Sequence, residues 1–426
     1  MTDRSLIVLM NGEKAGVVTQ DANGNLSFSY DEEWHDDERT PLSLSMPTSI
    51  ATHENKAITC FMWGLLTDNE ETLKKIGRDH QVSPRNPFAL LSAIGHDCAG
   101  AVQFVRPEEV DFVEHGGGLT PISNAEIAAE LQSLRQNRGG KNPNAQFSLA
   151  GAQPKVAYAR VNGAWHVPSG RMATTHILKP SSVEHTGLIE NEHFCLQLAN
   201  RIGLPAAPSE IIRFGDETAI VSTRYDRGVD PLSDIKSLDK IVIDRIHQED
   251  MCQALGYPPD KKYEKEGGPG IVKIMDVISG SNSPDFDRNR FMKSIILNFI
   301  IKGTDAHAKN YSIIHLNSQY RLSPLYDVAS ILPYKEYDTH DLRLSMRVGK
   351  HYKFEDIALR HWEAMARSAR YSVDLIREEL RSMIRNVPEV AHQLARDTLS
   401  SGLDHPVIGQ LAEEIERRCI SLQRFY

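Results

Sequence analysis

A chain of 426 residues is too long for one compact core and favours two or three packed units. Its 40% hydrophobic and 25% charged residues are ordinary for a soluble globular protein, and no stretch reaches the ~20 apolar residues of a membrane helix. The N-terminal apolar run is too short for a signal peptide, which predicts a cytoplasmic protein, and a formal net charge of −9 argues against a stand-alone nucleic-acid binder.

The first 110 residues are predicted to form a β-rich unit. Three β-rich runs follow one another near the N-terminus, separated by the turn signals Asn11-Gly12 and Asn23-Gly24, and predict a small antiparallel sheet over residues 5–30. Helical spacing of apolar residues follows over 61–75 and 86–95.

The next region, 111–225, mixes strands with single helices. Helices are predicted over 124–137 and 190–204, with a loop-rich stretch at 138–144. Strands are predicted on both sides of the turn Asn162-Gly163, over 174–180, and as two runs within 210–227.

Residues 226–426 are predicted to be mostly helical, except for a hairpin over 311–324 and a loop over 260–270. A β-rich section followed by a helical section predicts an α+β protein with two lobes.

The five cysteines are scattered, odd in number and never spaced as C-x-x-C, so we expect buried free thiols rather than a zinc site or a disulfide framework. They are Cys60, Cys98, Cys195, Cys252 and Cys419.

Charged and amide residues occur in the order that a kinase requires. Kinases use a strand Lys and a helix Glu, then a catalytic-loop Asp with a metal-binding Asn five positions later, and a further metal-binding Asp downstream. Here Lys179 ends the strand THILK, and Glu192 lies on the next helix. Asp305 and Asn310 are five positions apart in GTDAHAKN, and Asp327 follows in SPLYDVAS.

These residue types suit phosphoryl transfer, in which positioning and electrostatics do most of the work. Metal-binding groups on both sides of a hairpin can converge on one Mg²⁺, which prefers oxygen ligands. Each residue alone has an ordinary structural interpretation. Lys179 and Glu192 could be solvated, Asp305 could cap a helix that begins at Ala306, His307 could be a core histidine and Asp327 a turn residue. The order and spacing of the whole set favour the kinase interpretation.

Several segments resemble the HipA family of kinases. The matching segments are GTDAHAKNYS, SPLYDVAS, FSLAGAQPK, HILKP, QEDMCQALG with GGPGI, PLSLSMP and FALLSAIGHDCAGAV, so the resemblance covers nearly the whole chain. It implies a serine/threonine kinase with a two-lobed protein-kinase-like fold. The expected domains are a β-rich N-terminal subdomain (1–110), a kinase N-lobe with phosphate loop and hinge (111–225) and a helical C-lobe with the catalytic loop (226–426).

The resemblance also implies roles for individual residues. Asp305 would be the catalytic base, Asn310 and Asp327 would hold Mg²⁺, Ser148 would be an autophosphorylated serine, and Lys179 would bind phosphate. The segment 150–155 would be the phosphate loop, and VSTRYDR the hinge, with Thr223 and Tyr225 facing adenine. The implied ATP-binding residues are Ala150, Gly151, Ala152, Gln153, Pro154, Lys155, Lys179, Thr223, Arg224, Tyr225, His307, Ala308, Lys309, Asn310, Tyr326 and Asp327.

The family's best-known target is glutamyl-tRNA synthetase, whose phosphorylation halts translation. Its partner is a small helix-turn-helix antitoxin, HipB, which binds operator DNA together with the toxin. The family's DNA-contacting basic pair falls near Arg367 and Arg370. Together with Arg360, these residues would lie on one face of a helix over LRHWEAMARSARYS and could contact phosphate, although a solvated helix face is the alternative.

Two departures from kinase patterns stand out. AGAQPK contains only Gly151, so it lacks the G-x-G-x-x-G of ordinary protein kinases and would offer backbone N–H groups from a short turn, with Pro154 removing one donor. Thr223 stands where an acidic residue can occur in the family.

Two other functions stay open. Small-molecule kinases of the aminoglycoside or choline type also use D-x-H-x-x-N, and an inactive kinase fold could serve as a corepressor.

Overall fold

The structure, a computed structural model, describes residues 4–35, 38–136, 147–182, 185–229, 241–337 and 341–426. The predicted loop at 138–144 therefore lies outside the described residues. Within them the strands are β1 (Arg4–Met10), β2 (Glu13–Gln20), β3 (Leu26–Tyr30), β4 (Thr52–Glu54), β5 (Val102–Val105), β6 (Leu119–Pro121), β7 (Val156–Val161), β8 (Ala164–Pro168), β9 (His176–Pro180), β10 (Ser209–Phe214), β11 (Glu217–Thr223), β12 (Arg227–Val229), β13 (Ile243–Arg245), β14 (Gln248–Asp250), β15 (Ser312–Leu316), β16 (Gln319–Leu322), β17 (Arg343–Val348) and β18 (His351–Lys353).

The helices of the described residues are α1 (Asn55–Leu65), α2 (Glu70–Asp79), α3 (Pro87–Ile94), α4 (Val110–His115), α5 (Asn124–Arg135), α6 (Leu188–Arg201), α7 (Met251–Ala254), α8 (Ile271–Ile278), α9 (Pro284–Ile300), α10 (Leu359–Ser368), α11 (Val373–Ser400) and α12 (Pro406–Leu422). No helix in this part of the chain is long and apolar enough to cross a membrane.

The chain divides into two compact units, each built from separate stretches of sequence. The β-rich unit comprises Met1–Pro180, Ile212–Pro259 and Ile313–Tyr320. The helical unit comprises Ser181–Ile211, Asp260–Ser312 and Arg321–Tyr426. The three domains expected from the sequence, with boundaries at 110 and 225, stay a prediction.

The β-rich unit contains two larger sheets. The first has the strand order β4-β3-β2-β1-β5, and its antiparallel pairs β1–β2 and β2–β3 confirm the N-terminal sheet predicted from the two Asn-Gly turns. Helices α1 and α3 cover this sheet, so that Phe28, Phe61 and Phe104 are fully buried in one core. Burial of such side chains supplies roughly 1.5–3 kcal/mol each.

The second sheet carries the predicted phosphate-binding lysine. Its order is β10-β11-β9-β7-β8-β6, which places β9 between β11 and β7. Helix α5 packs on it through Ile127 and Leu131, which share a core with Tyr158 and Leu178. Side chains alternate along a strand, so Leu178 in this core requires Lys179 to point to the opposite face of the sheet.

The helical unit is assembled around α11, which packs against α6, α9, α10 and α12. Its core includes an aromatic cluster in which Phe299 contacts Phe354, Trp362 and Tyr426. Helix α9 is buried along most of its length and leads directly into the segment that holds Asp305.

Three secondary-structure predictions are wrong in part. The helix predicted over 61–75 breaks after Leu65, because the Asn69 side chain accepts a hydrogen bond from the N–H of Thr72 (2.9 Å) and starts α2 as a new helix. The helix predicted over LRHWEAMARSARYS ends at Ser368, and Arg370 has a left-handed backbone (φ 51°) before Ser372 caps α11. The region after residue 226 contains more strand than predicted, namely β12, β13, β14, β17 and β18.

Other predictions are confirmed, including helices α3, α5 and α6 and the hairpin at Asn162-Gly163, which joins β7 and β8. The five cysteines are free and buried, as predicted.

Candidate active site

The catalytic loop is defined here as residues 303–310, which follow α9 in the helical unit. Gly303 is required at its start, because a Cβ there would lie 2.1 Å from Oδ1 of Asn298. Ser345 donates a hydrogen bond from its hydroxyl to the carbonyl oxygen of Thr304 (2.6 Å). The loop is thus fixed to its own unit immediately before Asp305.

Asp305 is held by main-chain contacts while its carboxylate stays accessible. Its carbonyl oxygen accepts hydrogen bonds from the N–H of His307 (2.8 Å) and from Nδ2 of Asn310 (2.7 Å). The side chain is 64% exposed, and its Oδ1 accepts a hydrogen bond from the hydroxyl of Tyr263 (2.7 Å). Residues 303–307 are not helical, so the helix-capping alternative for Asp305 is wrong. An exposed carboxylate on a fixed loop suits a general base.

Asn310 and Asp327 lie in segments that Tyr326 joins. The Tyr326 hydroxyl donates to the carbonyl oxygen of Lys309 (2.8 Å) and is hydrogen-bonded to Oγ of Ser312. Leu325, just before Tyr326, is fixed in turn, because its N–H donates to the carbonyl oxygen of Pro205 (2.8 Å). Tyr326 therefore connects the segment that contains Asp327 to the segment that contains Asn310.

The residues present fit a divalent cation with oxygen ligands. Because Nδ2 of Asn310 donates to Asp305, Oδ1 of Asn310 is the free end of the amide, and within the described residues it accepts no hydrogen bond. Asp327 has a left-handed backbone (φ 57°), which is uncommon outside glycine but tolerated by Asp. Amide and carboxylate oxygens are the ligands that Mg²⁺ prefers.

His307 is buried, with 4% of its surface exposed. Burial lowers the pKa of His307 below its ordinary value despite the nearby Asp305 carboxylate, so the ring is neutral at pH 7. In the described part of the chain its Nδ1 has no hydrogen-bond partner. A buried polar atom without a partner is costly, which supports a contact with a bound ligand.

Lys179 and Glu192 are both buried, in different units. Lys179 is 6% exposed on β9, where it pairs in register with Ile220. Glu192 is 4% exposed on α6, within the helical unit. Lys and Glu are almost never so deeply buried as solvated surface residues, and the structure therefore removes that alternative for both.

The phosphate loop, residues 150–155, is held by the N-terminal part of the β-rich unit. Gly151 has φ 99°, a conformation that favours glycine. The Gly151 carbonyl oxygen accepts hydrogen bonds from the Thr67 hydroxyl (2.9 Å) and the N–H of Asp68 (3.2 Å). Within the loop, Nζ of Lys155 donates to the carbonyl oxygen of Ala150 (2.6 Å). These contacts occupy carbonyl groups and set the direction of the turn.

Ser148 precedes this loop and is 1% exposed. Its hydroxyl donates to the carbonyl oxygen of Leu65 (2.9 Å), and its N–H donates to the carbonyl oxygen of Asp97 (2.9 Å). A kinase could therefore modify Ser148 only after residues near 148 leave this position.

In the predicted hinge, the side chain of Arg224 is buried and bonded to other residues of the protein. Thr223 ends β11 and is exposed, and the Tyr225 hydroxyl is hydrogen-bonded to Gln248. Arg224 is 4% exposed, and its guanidinium binds the Asp226 carboxylate and the Thr174 hydroxyl. Its N–H donates to Thr175, so a nucleotide contact by Arg224 would have to come from its carbonyl oxygen.

A network of buried charged residues includes Arg224 of the predicted hinge, and no sequence pattern predicts it. It contains Asp97, Arg224, Asp226, Arg227 and Arg245, all less than 10% exposed. Burial alone would raise the pKa of Asp97, but the three arginines outweigh it and lower the pKa to about 2. Asp97 accepts hydrogen bonds from Arg227 (2.8 Å) and from Thr174, so the network joins the N-terminal sequence to the hinge.

Arg367 and Arg370 are exposed in the helical unit, and each lies near a carboxylate. Arg367 is 3.5 Å from Glu363, and Arg370 is 3.2 Å from Asp276. Because α10 ends before Arg370, the two arginines do not share a helix face.

Two family models match this chain, the HipA N-terminal domain over residues 6–105 and the HipA-like C-terminal domain over residues 147–394. The chain belongs to the HipA family. A Sinorhizobium fredii protein named as a kinase, Y4mE, is 34% identical over 98% of both chains. The serine/threonine-protein kinase toxin HipA of Shewanella oneidensis is 28% identical over 78% of this chain and 75% of its own length.

The fold agrees with this assignment to the HipA family. The HipA chain in the S. oneidensis complex of HipA, HipB and operator DNA superposes with a TM-score of 0.84, at 24% identity, over 99% of this chain and 98% of that chain. The predicted fold class, α+β and protein-kinase-like with a β-rich and a helical lobe, is confirmed by this match.

Two HipA-like motifs prove to be structural partners of each other. Glu249, in QEDMCQALG, is 1% exposed, and its carboxylate accepts hydrogen bonds from the Ser43 hydroxyl and the N–H of Leu44 (2.8 Å) in PLSLSMP. His315 also contacts this carboxylate (2.9 Å). Hydrogen bonds therefore connect these two motifs within the β-rich unit.

A functional candidate that the sequence did not reveal is Tyr263, whose hydroxyl contacts the Asp305 carboxylate.

Proposed function

We propose that this HipA-family protein is an ATP-dependent serine/threonine protein kinase and the toxin of a toxin–antitoxin pair. Support comes from one observation above all: the fixed catalytic loop of the helical unit, which exposes the Asp305 carboxylate and orients Asn310. The kinase names of the relatives agree with this proposal.

In this proposal Asp305 accepts the proton of a serine or threonine hydroxyl as that oxygen bonds to the γ-phosphorus of ATP, while the bond from this phosphorus to the β–γ bridging oxygen breaks and ADP leaves. Lys179 and the backbone of the phosphate loop bind the phosphates, and Asn310 and Asp327 hold Mg²⁺. The ion, when bound, neutralises charge on the phosphate oxygens. Thr223, the Arg224 backbone and Tyr225 contact adenine. The remaining proposed ATP-binding residues lie in or next to the catalytic loop and are His307, Ala308, Lys309 and Tyr326.

We further propose that the substrate is an aminoacyl-tRNA synthetase, such as glutamyl-tRNA synthetase, and that its phosphorylation arrests translation. The test is phosphoproteomics after induced expression of the wild type and of Asp305→Ala. New phosphoserine or phosphothreonine on a synthetase in the wild type alone is expected. ATP turnover with sugars or amino alcohols but no new phosphoprotein would favour a small-molecule kinase, and absence of any ATPase or autokinase activity would favour an inactive corepressor.

Self-inactivation through Ser148 is part of the same proposal. A phosphate on Ser148 would replace the hydroxyl that donates to Leu65 with an anion of about −1.5 to −2 charges facing a carbonyl oxygen. The modified segment would leave this position and take the adjoining phosphate loop with it. Mass spectrometry should find phosphate on Ser148 in wild-type protein made in cells and none in Asp305→Ala.

A HipB-like helix-turn-helix antitoxin is the proposed partner, and the complex would bind operator DNA and repress the operon. Support comes from the S. oneidensis complex that the chain resembles in fold. With the antitoxin present, Arg367→Ala with Arg370→Ala should reduce the salt dependence of DNA binding, because each lost phosphate contact lowers that slope. Arg213→Ala, an exposed arginine of the β-rich unit, is the control. An unchanged slope in the double variant would show that Arg367 and Arg370 do not contact DNA.

A further inference from the structure

The turn Tyr263–Gly268 of the helical unit supplies a side-chain contact to the Asp305 carboxylate. The Tyr263 hydroxyl donates a hydrogen bond to Oδ1 of Asp305 at 2.7 Å. Within the described residues no other side chain is hydrogen-bonded to this carboxylate, and Nε2 of His307 lies farther away, at 3.7 Å. The orientation of an otherwise exposed carboxylate thus depends on one phenol.

The Tyr263 side chain is itself fixed against the catalytic loop. Its ring meets the His307 ring edge to face, with centroids 5.0 Å apart. The neighbouring Lys262 carbonyl oxygen accepts a hydrogen bond from the N–H of Ala308 (3.2 Å). The turn and the loop therefore contact each other through both a ring and the main chain.

The turn is closed from its other side as well. The Tyr263 carbonyl oxygen accepts the N–H of Gly268 (3.1 Å), and a Cβ on Gly268 would lie 1.8 Å from the carbonyl oxygen of Lys261. The Glu264 carboxylate accepts the N–H of Arg347 (2.8 Å) and pairs with its guanidinium (2.9 Å). A residue held in this way keeps its hydroxyl in one place, which a mobile surface tyrosine would not do.

We infer that Tyr263 is a positioning residue for the general base Asp305, an inference that rests on the proposed kinase function. A hydrogen bond to Oδ1 fixes the rotamer of the carboxylate and leaves Oδ2 to accept the proton of the substrate hydroxyl. General-base catalysis requires the base within hydrogen-bond reach of that proton, so a freely rotating carboxylate is productive for only part of the time. Both atoms of this hydrogen bond belong to side chains of the helical unit.

The test compares Tyr263→Phe with Tyr426→Phe in the full-length protein. Tyr263→Phe keeps the ring against His307 and removes the hydroxyl that donates to Asp305. We expect kcat for phosphoryl transfer to fall roughly 10- to 100-fold, the range for a misplaced catalytic group, while KM for ATP stays unchanged. Tyr426 is the matched control, because its hydroxyl donates to the carbonyl oxygen of Ile357 (2.8 Å) away from the loop, and kcat of that variant should equal the wild type.

The outcomes separate this inference from the proposed function. Wild-type kcat in Tyr263→Phe, with Asp305→Asn inactive, would overturn the positioning role and leave the kinase proposal standing. Faster ATP hydrolysis by Tyr263→Phe without a protein substrate would also overturn it, because Tyr263 would then cover the base rather than orient it. A wild-type protein that transfers no phosphate would overturn both.

Discussion

The carbonyl groups of Asp305 in the catalytic loop and of Gly151 in the phosphate loop are held by contacts of different range. In the catalytic loop, Asn310 and His307 hydrogen-bond to Asp305 itself, within a stretch of six residues. In the phosphate loop, the Gly151 carbonyl oxygen is bound by Thr67, 84 positions earlier in the chain. Ser148 likewise donates to Leu65, 83 positions earlier.

This difference indicates what the N-terminal region of this chain contributes to the predicted phosphate loop. The hydrogen bonds to the Asp305 carbonyl oxygen form within the helical unit. Ser148 and Gly151, by contrast, are hydrogen-bonded to residues between 65 and 97. The break between α1 and α2 supplies Thr67 and Asp68 for this contact. In the proposed kinase, the N-terminal region would therefore support nucleotide binding without contributing a predicted catalytic group.

The largest effect is expected from Asp97→Asn, which removes one carboxylate from the buried charge network. Loss of one partner of a buried ion pair costs about 3–5 kcal/mol of unfolding free energy. Asp397→Asn is the control, because Asp397 forms an exposed pair with Arg201 (2.6 Å), worth about 0–1 kcal/mol. Denaturant unfolding of both variants measures the difference. Equal stabilities would show that the network does not anchor the N-terminal sequence.

Next in size are Asn310→Ala and Asp327→Ala, which remove the proposed Mg²⁺ ligands from the catalytic side. Affinity for Mg²⁺-ATP, measured by calorimetry, should fall by at least roughly 10- to 100-fold, which is the cost of losing a group that only supports a metal ligand. The unfolding midpoint of Asn310→Ala should change little, since only one local hydrogen bond to Asp305 is lost. Unchanged affinity in both variants would remove the metal assignment.

Stability should depend on pH through the buried His247 of the β-rich unit. Burial, with His315 nearby, lowers the pKa of His247 to about 3. The unfolded chain binds a proton at His247 below about pH 6.5, whereas the folded chain does not until about pH 3, so stability falls with decreasing pH by about 1.4 kcal/mol per unit in that window. His247→Gln should reduce this slope by about 1.4 kcal/mol per pH unit, which is the contribution of one proton. An unaltered slope, measured by unfolding at pH 6 and pH 5, would contradict the assignment.

Thr67→Val should have the smallest effect. The substitution keeps the shape of the side chain and removes the hydroxyl, which donates to Gly151 and accepts the N–H of Asn69 (3.2 Å), while the N–H of Asp68 still donates to Gly151. Loss of one hydrogen bond costs about 0.5–1.5 kcal/mol, so KM for ATP should rise roughly 2- to 10-fold with kcat unchanged. Thr67→Ser should restore the wild-type KM. Thr59→Val, which removes a hydroxyl on α1 that donates to Asn55, is the control. A reduced kcat with normal KM would place Thr67 elsewhere in the mechanism.

The same contrast explains what the sequence could predict. The catalytic loop is recognisable in the sequence because Asp305 and Asn310 lie on one short loop. Their spacing of five positions is therefore enough to predict that they lie close together. The N-terminal sheet and α3, α5 and α6 were likewise predicted from local turn signals and periodicity. The contacts of Thr67 with Gly151 and of Asp97 with Arg227 join distant residues, and no spacing rule marks them. Tyr263 was missed for the same reason, since it lies 42 positions before Asp305 in a polar loop.

The most direct test of the central claim is phosphoryl transfer from γ-labelled ATP by purified wild-type protein and by Asp305→Asn. General-base catalysis contributes roughly 10²–10⁴-fold, so the variant should lose that factor in rate, with a normal unfolding midpoint and no phosphate on Ser148. Asp404→Asn, an exposed aspartate of the helical unit, should behave as the wild type. Near-normal transfer by Asp305→Asn would contradict the account.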